Sequence, residues 1–234
     1  MALRLFSNVV NIPKRHAECG FQNYKTDPDN EKQLAVCKKW SDKESITLTG
    51  YIGTGKTHLA IALLRNFPMI PLNDIEAEKQ KSKFQNDLIY LQSNLHLDGS
   101  SEKIEYYQKL LAEELWKYRR ANCLFVPIVE MFVEINTAAT TDEGKQAVLR
   151  KYSTNSTYDC ICFDDLGAEK LTDAKRENLY YIIDSRYREM LPTIITSNFT
   201  INEINEVEPR IASRLAEMGI ILQFNGKDFR KINF

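Results

Sequence analysis

The chain has 234 residues, enough for one α/β domain with a full core, and its formal net charge of −1 excludes attraction to nucleic acid by overall charge. Its apolar runs are too short to span a bilayer, and its N-terminal stretch is too short and too polar for a signal peptide. Its five cysteines form no CxxC pair and fit a reducing compartment, so we expect a cytoplasmic protein without membrane contact.

The first part of the chain, residues 1–44, is predicted to form a short lead-in followed by one helix. The helix is expected over 29–40, because apolar residues such as Leu34 and Cys37 recur there at helical spacing. We expect the catalytic core to follow, over 45–234.

Five short apolar or β-branched runs in the core predict buried strands, since none alternates strictly between apolar and polar residues. They are Ile46–Thr49, Cys123–Pro127, Cys160–Asp164, Thr193–Ser197 and Ile220–Phe224. Helical patterns separate most of them, and the clearest covers Ala174–Met190. Strands that alternate with helices indicate a parallel sheet with right-handed crossovers. The predicted fold class is therefore α/β, with a five-stranded parallel sheet.

The gap between the first two strands is longer than one crossover helix requires. Pro68 and Pro71 end the first helix, and two further amphipathic patterns follow before the next strand. These patterns cover Asp74–Asn94 and Glu102–Arg120. We predict a helical hairpin over 72–120, inserted into the core.

A turn at 97–101 is predicted to separate the two inserted helices, with Ser100 or Ser101 capping the second. The hairpin is either a surface elaboration that packs on its neighbours or an arm that docks a partner. Both interpretations stay open, because a pair of amphipathic helices must cover its apolar stripe in either case.

The residues Gly50-Tyr-Ile-Gly-Thr-Gly-Lys-Thr57 match the P-loop pattern GxxxxGK[ST], between a predicted strand and a predicted helix. Its glycines let backbone N–H groups converge on phosphate oxygens, and the helix N-terminus adds the positive end of its dipole. In this pattern Lys56 reaches the β- and γ-phosphates of ATP, and the Thr57 hydroxyl binds Mg²⁺. The expected nucleotide-binding residues are Gly50, Gly53, Thr54, Gly55, Lys56, Thr57 and His58.

Polar side chains follow the next core strands. Asp164 and Asp165 end the third predicted strand, where P-loop NTPases hold Mg²⁺. We assign the metal to Asp164 and polarisation of the attacking water to Asp165, although paired aspartates also end strands in ordinary turns. Asn198 ends the fourth strand, and taken alone it is typical of a turn. Arg210 and Arg214, at i and i+4 on one helix face, fit either phosphate recognition or surface ion pairs.

Taken in order, these motifs resemble the DnaC/IstB-type AAA+ ATPases, which include loaders of replicative helicases and ATPase helpers of transposition. The resemblance is carried by GYIGTGKTHLA, CICFDDLGAEK, LYYIIDSRY, LPTIITSN, RIASRL and KDFRK, and it covers about 11–69 and 121–234. It implies ATP and Mg²⁺ as cofactors, with Asn198 as the first sensor. It also implies that Arg214 is an arginine finger that reaches the ATP site of a neighbouring subunit, and that Arg230 is the second sensor. The implied catalytic set is Lys56, Asp165, Asn198 and Arg214.

The resemblance further implies self-association into an ATP-bridged oligomer that loads a replicative DNA helicase onto single-stranded DNA. The alternative within the family is a transposition helper that binds duplex DNA and a transposase. A P-loop kinase fits less well, because Asp164, Asp165 and Asn198 favour hydrolysis over phosphoryl transfer to a nucleotide. An ATP-binding adaptor with negligible hydrolysis is a further possibility.

Two features depart from the usual family pattern. The 72–120 insertion is not part of the usual core, and an N-terminal helicase-binding domain is expected to be absent or to have been removed. The expected lack of a C-terminal helical lid agrees with the DnaC/IstB type. Val129–Tyr152 lies where initiator-type members contact single-stranded DNA, and Lys145, Arg150 and Lys151 would supply phosphate contacts there. The same basic residues are also compatible with an ordinary solvated helix face.

Overall fold

A computed structural model describes residues 7–41, 44–94, 100–154, 157–167 and 172–230. In chain order, the strands are β1 (Asn8–Val10), β2 (Ser45–Gly50), β3 (Ile70–Pro71), β4 (Tyr118–Arg119), β5 (Asn122–Pro127), β6 (Cys160–Leu166), β7 (Thr193–Ser197) and β8 (Gly219–Phe224). The α-helices are α1 (Glu31–Lys39), α2 (Lys56–Arg65), α3 (Asp74–Ser93), α4 (Ser100–Ala112), α5 (Ile128–Ala138), α6 (Asp142–Tyr152), α7 (Asp173–Arg188), α8 (Ile201–Val207) and α9 (Pro209–Met218). The described residues from 69 to 121 form one unit, and the others form a second unit.

The second, larger unit contains a six-stranded parallel sheet with the order β1-β5-β6-β7-β2-β8. Its central strands are buried on both faces, which explains their continuous apolar and β-branched sequences. The α/β class, the parallel sheet and all five predicted strands are confirmed.

The predicted strand number is too low by one, because β1 was missed. This strand has only three residues, too few for a pattern to stand out from the lead-in. It is recognised only through its partner, since Asn8 to Val10 pair with Asn122 to Leu124 at the edge of the sheet.

The helices of the larger unit cover the sheet and supply its core. α2, which follows the P-loop, buries nearly every residue after its first turn. On α7 the side chains of Leu179, Ile182 and Ile183 are buried, as the periodicity of the predicted helix indicated. The helix predicted over 29–40 is observed as α1.

The smaller unit consists of α3 and α4 with a short antiparallel pairing of β3 and β4. Phe84 and Tyr107 pack together, with ring centroids 5.6 Å apart. The helix predicted over Glu102–Arg120 is wrong in its second half, because α4 ends at Ala112. Glu114 has a φ of 55°, a left-handed conformation that helices do not continue through. A 3-10 turn and β4 follow it.

The turn predicted at 97–101 lies largely outside the described residues, which resume at Ser100. Ser100 and Ser101 both lie within α4, so neither occupies the capping position that precedes a helix. Across the described ranges, every helix is too short or too polar to traverse a bilayer.

Candidate active site

The P-loop lies between β2 and α2, and its glycines have backbone conformations that other residues rarely adopt. Gly50, Gly53 and Gly55 have φ values of 115°, 79° and 90°. A Cβ atom at Gly50 would lie 2.1 Å from the carbonyl oxygen of Phe224, and one at Gly55 would lie 2.8 Å from the ring of Tyr24. The glycines therefore let the loop pass close to both neighbouring segments.

Lys56 is held inside this loop. Its Nζ donates to the carbonyl oxygens of Gly50, at 2.8 Å, and Tyr51, at 2.6 Å. Burial lowers the pKa of Lys56 to about 8, although the nearby carboxylates of Asp165 and Asp164 act in the opposite direction. The ammonium group thus stands beside the loop backbone and both carboxylates.

Asp164 connects the end of β6 to the P-loop helix. Its Oδ1 accepts hydrogen bonds from the hydroxyls of Thr57, at 3.0 Å, and Thr196, at 2.6 Å. Burial raises the pKa of this carboxyl group, and the two hydroxyl bonds partly offset that rise. A carboxylate beside a hydroxyl is an oxygen donor set that fits Mg²⁺, which usually takes one or two carboxylates together with phosphate oxygens and water.

Asp165 and Asn198 form the neighbouring part of the site. Asp165 has a φ of 66°, and the register between β6 and β7 is irregular from Phe163 to Leu166. Its N–H donates to the Thr196 hydroxyl at 2.8 Å, and its carboxylate accepts a hydrogen bond from the Asn198 side-chain amide. A left-handed residue at a strand irregularity changes the direction of its side chain, a feature common near active sites.

These groups share one cleft of about 810 Å³. The predicted site residues that line it are Gly53, Gly55, Lys56, Thr57, His58, Asp164, Asp165, Asn198 and Arg230. Two other predicted residues shape the loop: Gly50 through its φ, and Thr54 through a hydrogen bond from its buried hydroxyl to the Tyr51 carbonyl at 2.8 Å.

The segment before α1 forms part of the cleft wall, which the sequence pattern did not reveal. Nε2 of His58 lies 2.9 Å from the Gly20 carbonyl oxygen and 3.1 Å from Oδ1 of Asn23. The hydroxyl of Tyr24 donates to the Thr54 carbonyl at 3.2 Å. His58 therefore joins this segment to α2, in addition to lining the cleft.

The last described residues lie against the P-loop. The N–H of Phe229 donates to the Gly53 carbonyl oxygen at 3.0 Å, and the N–H of Arg230 donates to Oδ1 of Asp228 at the same distance. This brings Arg230 to the cleft, at the far end of the sequence from the P-loop.

Comparison with known proteins extends these observations. No family model matches the chain. The uncharacterized protein YqaM of Bacillus subtilis (strain 168) is 23% identical over 224 residues, which cover 92% of this chain and 52% of YqaM. The chain thus spans about half the length of this curated relative.

Solved structures of replication proteins share the fold. The DnaC helicase loader matches with a TM-score of 0.57 and 21% identity, over 91% of this chain and 100% of that chain. The replication initiator DnaA, bound to AMPPCP and single-stranded DNA, matches with a TM-score of 0.57 and 15% identity, over 90% and 51%. The chain has the AAA+ P-loop fold. The expected resemblance to DnaC-type AAA+ ATPases is confirmed at the level of this fold.

Two of the predicted arginines lie outside the cleft. Nε of Arg214 donates to Oδ1 of Asp184 at 2.8 Å, and its guanidinium lies 4.6 Å from the ring centroid of Tyr187. Arg210 forms ion pairs with Glu177 and Glu208. Within one chain, these arginines therefore form surface ion pairs, one of the two arrangements that the sequence left open.

Thr196 also contributes to the site, although it is not among the predicted site residues. Thr196 lies within β7, two residues before Asn198, and no local sequence pattern marks its side chain as part of the site. Its contacts with Asp164 and Asp165 depend on how β6 and β7 pair.

Proposed function

We propose that this chain is an ATP-hydrolysing accessory of DNA replication that loads a replicative helicase onto single-stranded DNA. The observation that carries the ATPase assignment is the contact between Thr57 and Asp164, in a cleft that also contains Lys56, Asp165 and Asn198. The replication role is supported by the fold shared with the DnaC helicase loader and with DnaA.

In this proposal the P-loop binds the phosphates of ATP. The backbone of the loop glycines and the N-terminus of α2 attract the anionic phosphate groups. Lys56 gives up its bonds to the Gly50 and Tyr51 carbonyl oxygens and turns its ammonium group to the β- and γ-phosphates. The positive charge of Lys56 thus lies next to the site before the nucleotide binds.

Thr57 and Asp164 are the residues that would hold Mg²⁺. When bound, the metal would neutralise negative charge on the phosphate oxygens. Asp165 accepts a proton from the attacking water, and Asn198 keeps that carboxylate oriented through its amide bond.

Hydrolysis in this proposal requires two subunits. Arg214 acts as the arginine finger of a neighbouring copy, because stabilising charge in the transition state requires a cation beside the γ-phosphate. Arg214 of the same chain is instead paired with Asp184. Arg230 contacts the bound nucleotide from within the same chain, which agrees with its position in the cleft.

DNA contacts are assigned to α5 and α6, which cover most of the predicted 129–152 element. Arg150 is exposed and Lys145 is half-buried, whereas Lys151 donates to Oε1 of Glu134 at 2.7 Å. The first two residues are therefore the stronger candidates for phosphate contacts. In this proposal the ATPase core covers 45–234, with 72–120 as a helical insertion, and the protein is located in the cytoplasm.

The test combines the purified protein with ATP, Mg²⁺ and labelled oligonucleotides of one sequence, single-stranded or duplex, and then with a replicative helicase. We expect ATP-dependent binding to the single strand and faster loading of helicase onto it, with Lys56→Ala as the inactive control. Preference for the duplex would indicate the transposition helper, and binding to neither DNA nor helicase would reject the loader.

A further inference from the structure

We infer that Thr196 is a positioning residue of this site: its hydroxyl holds the carboxylate of Asp164 and the backbone of Asp165 in one arrangement. The inference rests on the proposed function, because the arrangement matters only if Asp164 serves a metal and Asp165 serves a water molecule. Thr196 acts through these two residues.

The direction of both Thr196 hydrogen bonds follows from their chemistry. The backbone N–H of Asp165 can only donate, so the Thr196 oxygen accepts this bond, at 2.8 Å. The hydroxyl proton is then directed to Oδ1 of Asp164, 2.6 Å away. Thr196 is 2% exposed, so bulk water does not compete for either bond.

The first bond orients the carboxylate of Asp164. Thr57 and Thr196 both contact Oδ1, from two different elements of the fold. Two donors on one oxygen fix the rotation of the carboxylate and therefore the direction in which it faces a metal ion. Changing a residue that orients a metal ligand in this way typically lowers metal affinity or activity by about 10- to 100-fold.

The second bond holds an uncommon backbone conformation. Asp165 is not glycine, yet its φ is 66°, and such a residue persists when surrounding contacts hold it. The Thr196 hydroxyl holds its N–H, and the Asn198 amide holds its carboxylate. Thr196 lies on β7 and Asn198 directly follows that strand, so both contacts come from the same end of β7.

A matched control exists at the other end of the same strand. Thr193 is fully buried, and its hydroxyl accepts a hydrogen bond from Nε of Arg186 at 2.8 Å. Thr193→Val therefore removes a buried, hydrogen-bonded hydroxyl from β7 away from the cleft. It shows how the loss of a buried hydroxyl from β7 affects the fold when the cleft is not involved.

The experiment compares wild type, Thr196→Val, Thr196→Ser and Thr193→Val. Calorimetry measures the affinity for the non-hydrolysable analogue AMPPCP with Mg²⁺ and with EDTA, ATP turnover is measured in parallel, and thermal unfolding checks that each variant is folded. We expect Thr196→Val to reduce the affinity gained from Mg²⁺, and the turnover, by about 10- to 100-fold. Its affinity in EDTA should match wild type, and Thr196→Ser should recover most of the Mg²⁺ gain.

Thr193→Val should keep the wild-type gain from Mg²⁺. The inference is overturned if Thr196→Val keeps both that gain and the turnover, or if Thr193→Val loses as much of the gain. If Thr196→Val does not fold, Thr196→Ala removes the same hydroxyl and carries the same expectation. Wild type that binds no AMPPCP rejects the proposed function itself, whereas a Thr196→Val variant that keeps both the Mg²⁺ gain and the turnover rejects only the positioning role.

Discussion

The hydroxyl of Thr57, at the start of α2, lies 3.0 Å from Oδ1 of Asp164, near the end of β6. The two residues are 107 positions apart in the sequence. The parallel sheet brings the end of β6 and the end of β2, which the P-loop follows, to the same edge. A hydroxyl and a carboxylate next to a P-loop are oxygen ligands that can bind a divalent cation beside the nucleotide phosphates. The ATPase proposal depends on this juxtaposition.

Removing the charge of Asp164 should separate metal use from nucleotide binding. We expect Asp164→Asn to lower ATP turnover by about 100-fold or more, because the charge that orients the metal is lost while the phosphate-binding loop remains. Asp159→Asn is the control, since Asp159 accepts a hydrogen bond from the Asn122 N–H just before the same strand. Equal turnover of Asp164→Asn and wild type, measured by phosphate release, would contradict the assignment.

Arg214 should act on a neighbouring subunit rather than on its own. We expect Arg214→Ala to bind nucleotide normally but to hydrolyse it about 10³-fold more slowly, as for other arginine fingers. Lys56→Ala should bind none, yet it retains Arg214 for its neighbours. Mixing the two inactive variants should therefore restore part of the activity at hybrid interfaces, measured as phosphate release against mixing ratio. No restoration at any ratio would argue against the arrangement in trans.

The buried Arg186 should be important for stability. Its guanidinium donates to the Thr193 hydroxyl and to the carbonyl oxygens of Tyr152, Ser153 and Pro192, and burial lowers its pKa to about 10. Arg186→Met leaves these buried acceptors without a donor, so we expect a loss of about 3 kcal/mol in the free energy of unfolding.

Arg188→Met is the matched control for Arg186→Met, on the same helix. Arg188 is exposed and makes an i, i+4 ion pair with Asp184, so we expect a change within about 0.5 kcal/mol. Urea unfolding measures both variants. Equal effects would mean that the network around Arg186 contributes little to stability.

Cys19 should report occupancy of the cleft. The described cysteines are buried, and burial raises the pKa of the Cys19 thiol above its ordinary 9.0 and that of Cys37 to about 12. Cys19 is 9% exposed and lines the cleft, so it should react first with a thiol reagent.

The rate at Cys19 should keep rising as the pH passes 9, because only the thiolate reacts and its formation is shifted upward. Added ATP and Mg²⁺ should slow this phase, and Cys19→Ser should remove it. A fast phase that nucleotide leaves unchanged would place the binding site elsewhere.

The parts of the fold that could be predicted are those with local patterns. The buried strands can be recognised because both faces of a parallel sheet are covered, so their sequences are continuously apolar. The P-loop can be recognised because its backbone conformation requires glycines at fixed positions within eight residues. Asp164 was predicted because the P-loop implied an acidic partner at a neighbouring strand end. Its placement beside Thr57 agrees with that expectation, while its role stays a prediction.

The parts that could not be predicted depend on distant partners. β1 is defined by pairing with β5, and α4 ends where the chain turns to pair β4 with β3. Thr196 contacts Asp164 across 32 positions of sequence, so no local pattern indicates the bond. The cleft wall that includes Tyr24 and Asn23 is attached to the P-loop and α2 through contacts of individual side chains, which carry no periodic signal.

The most direct test is a calorimetric titration of the folded protein with ATP and Mg²⁺, beside Lys56→Ala. The proposal predicts saturable uptake of one nucleotide per chain by wild type, weaker uptake when EDTA replaces Mg²⁺, and none by the variant. Folded wild-type protein that takes up no adenine nucleotide, or a Lys56→Ala variant that binds it equally well, would contradict the proposal.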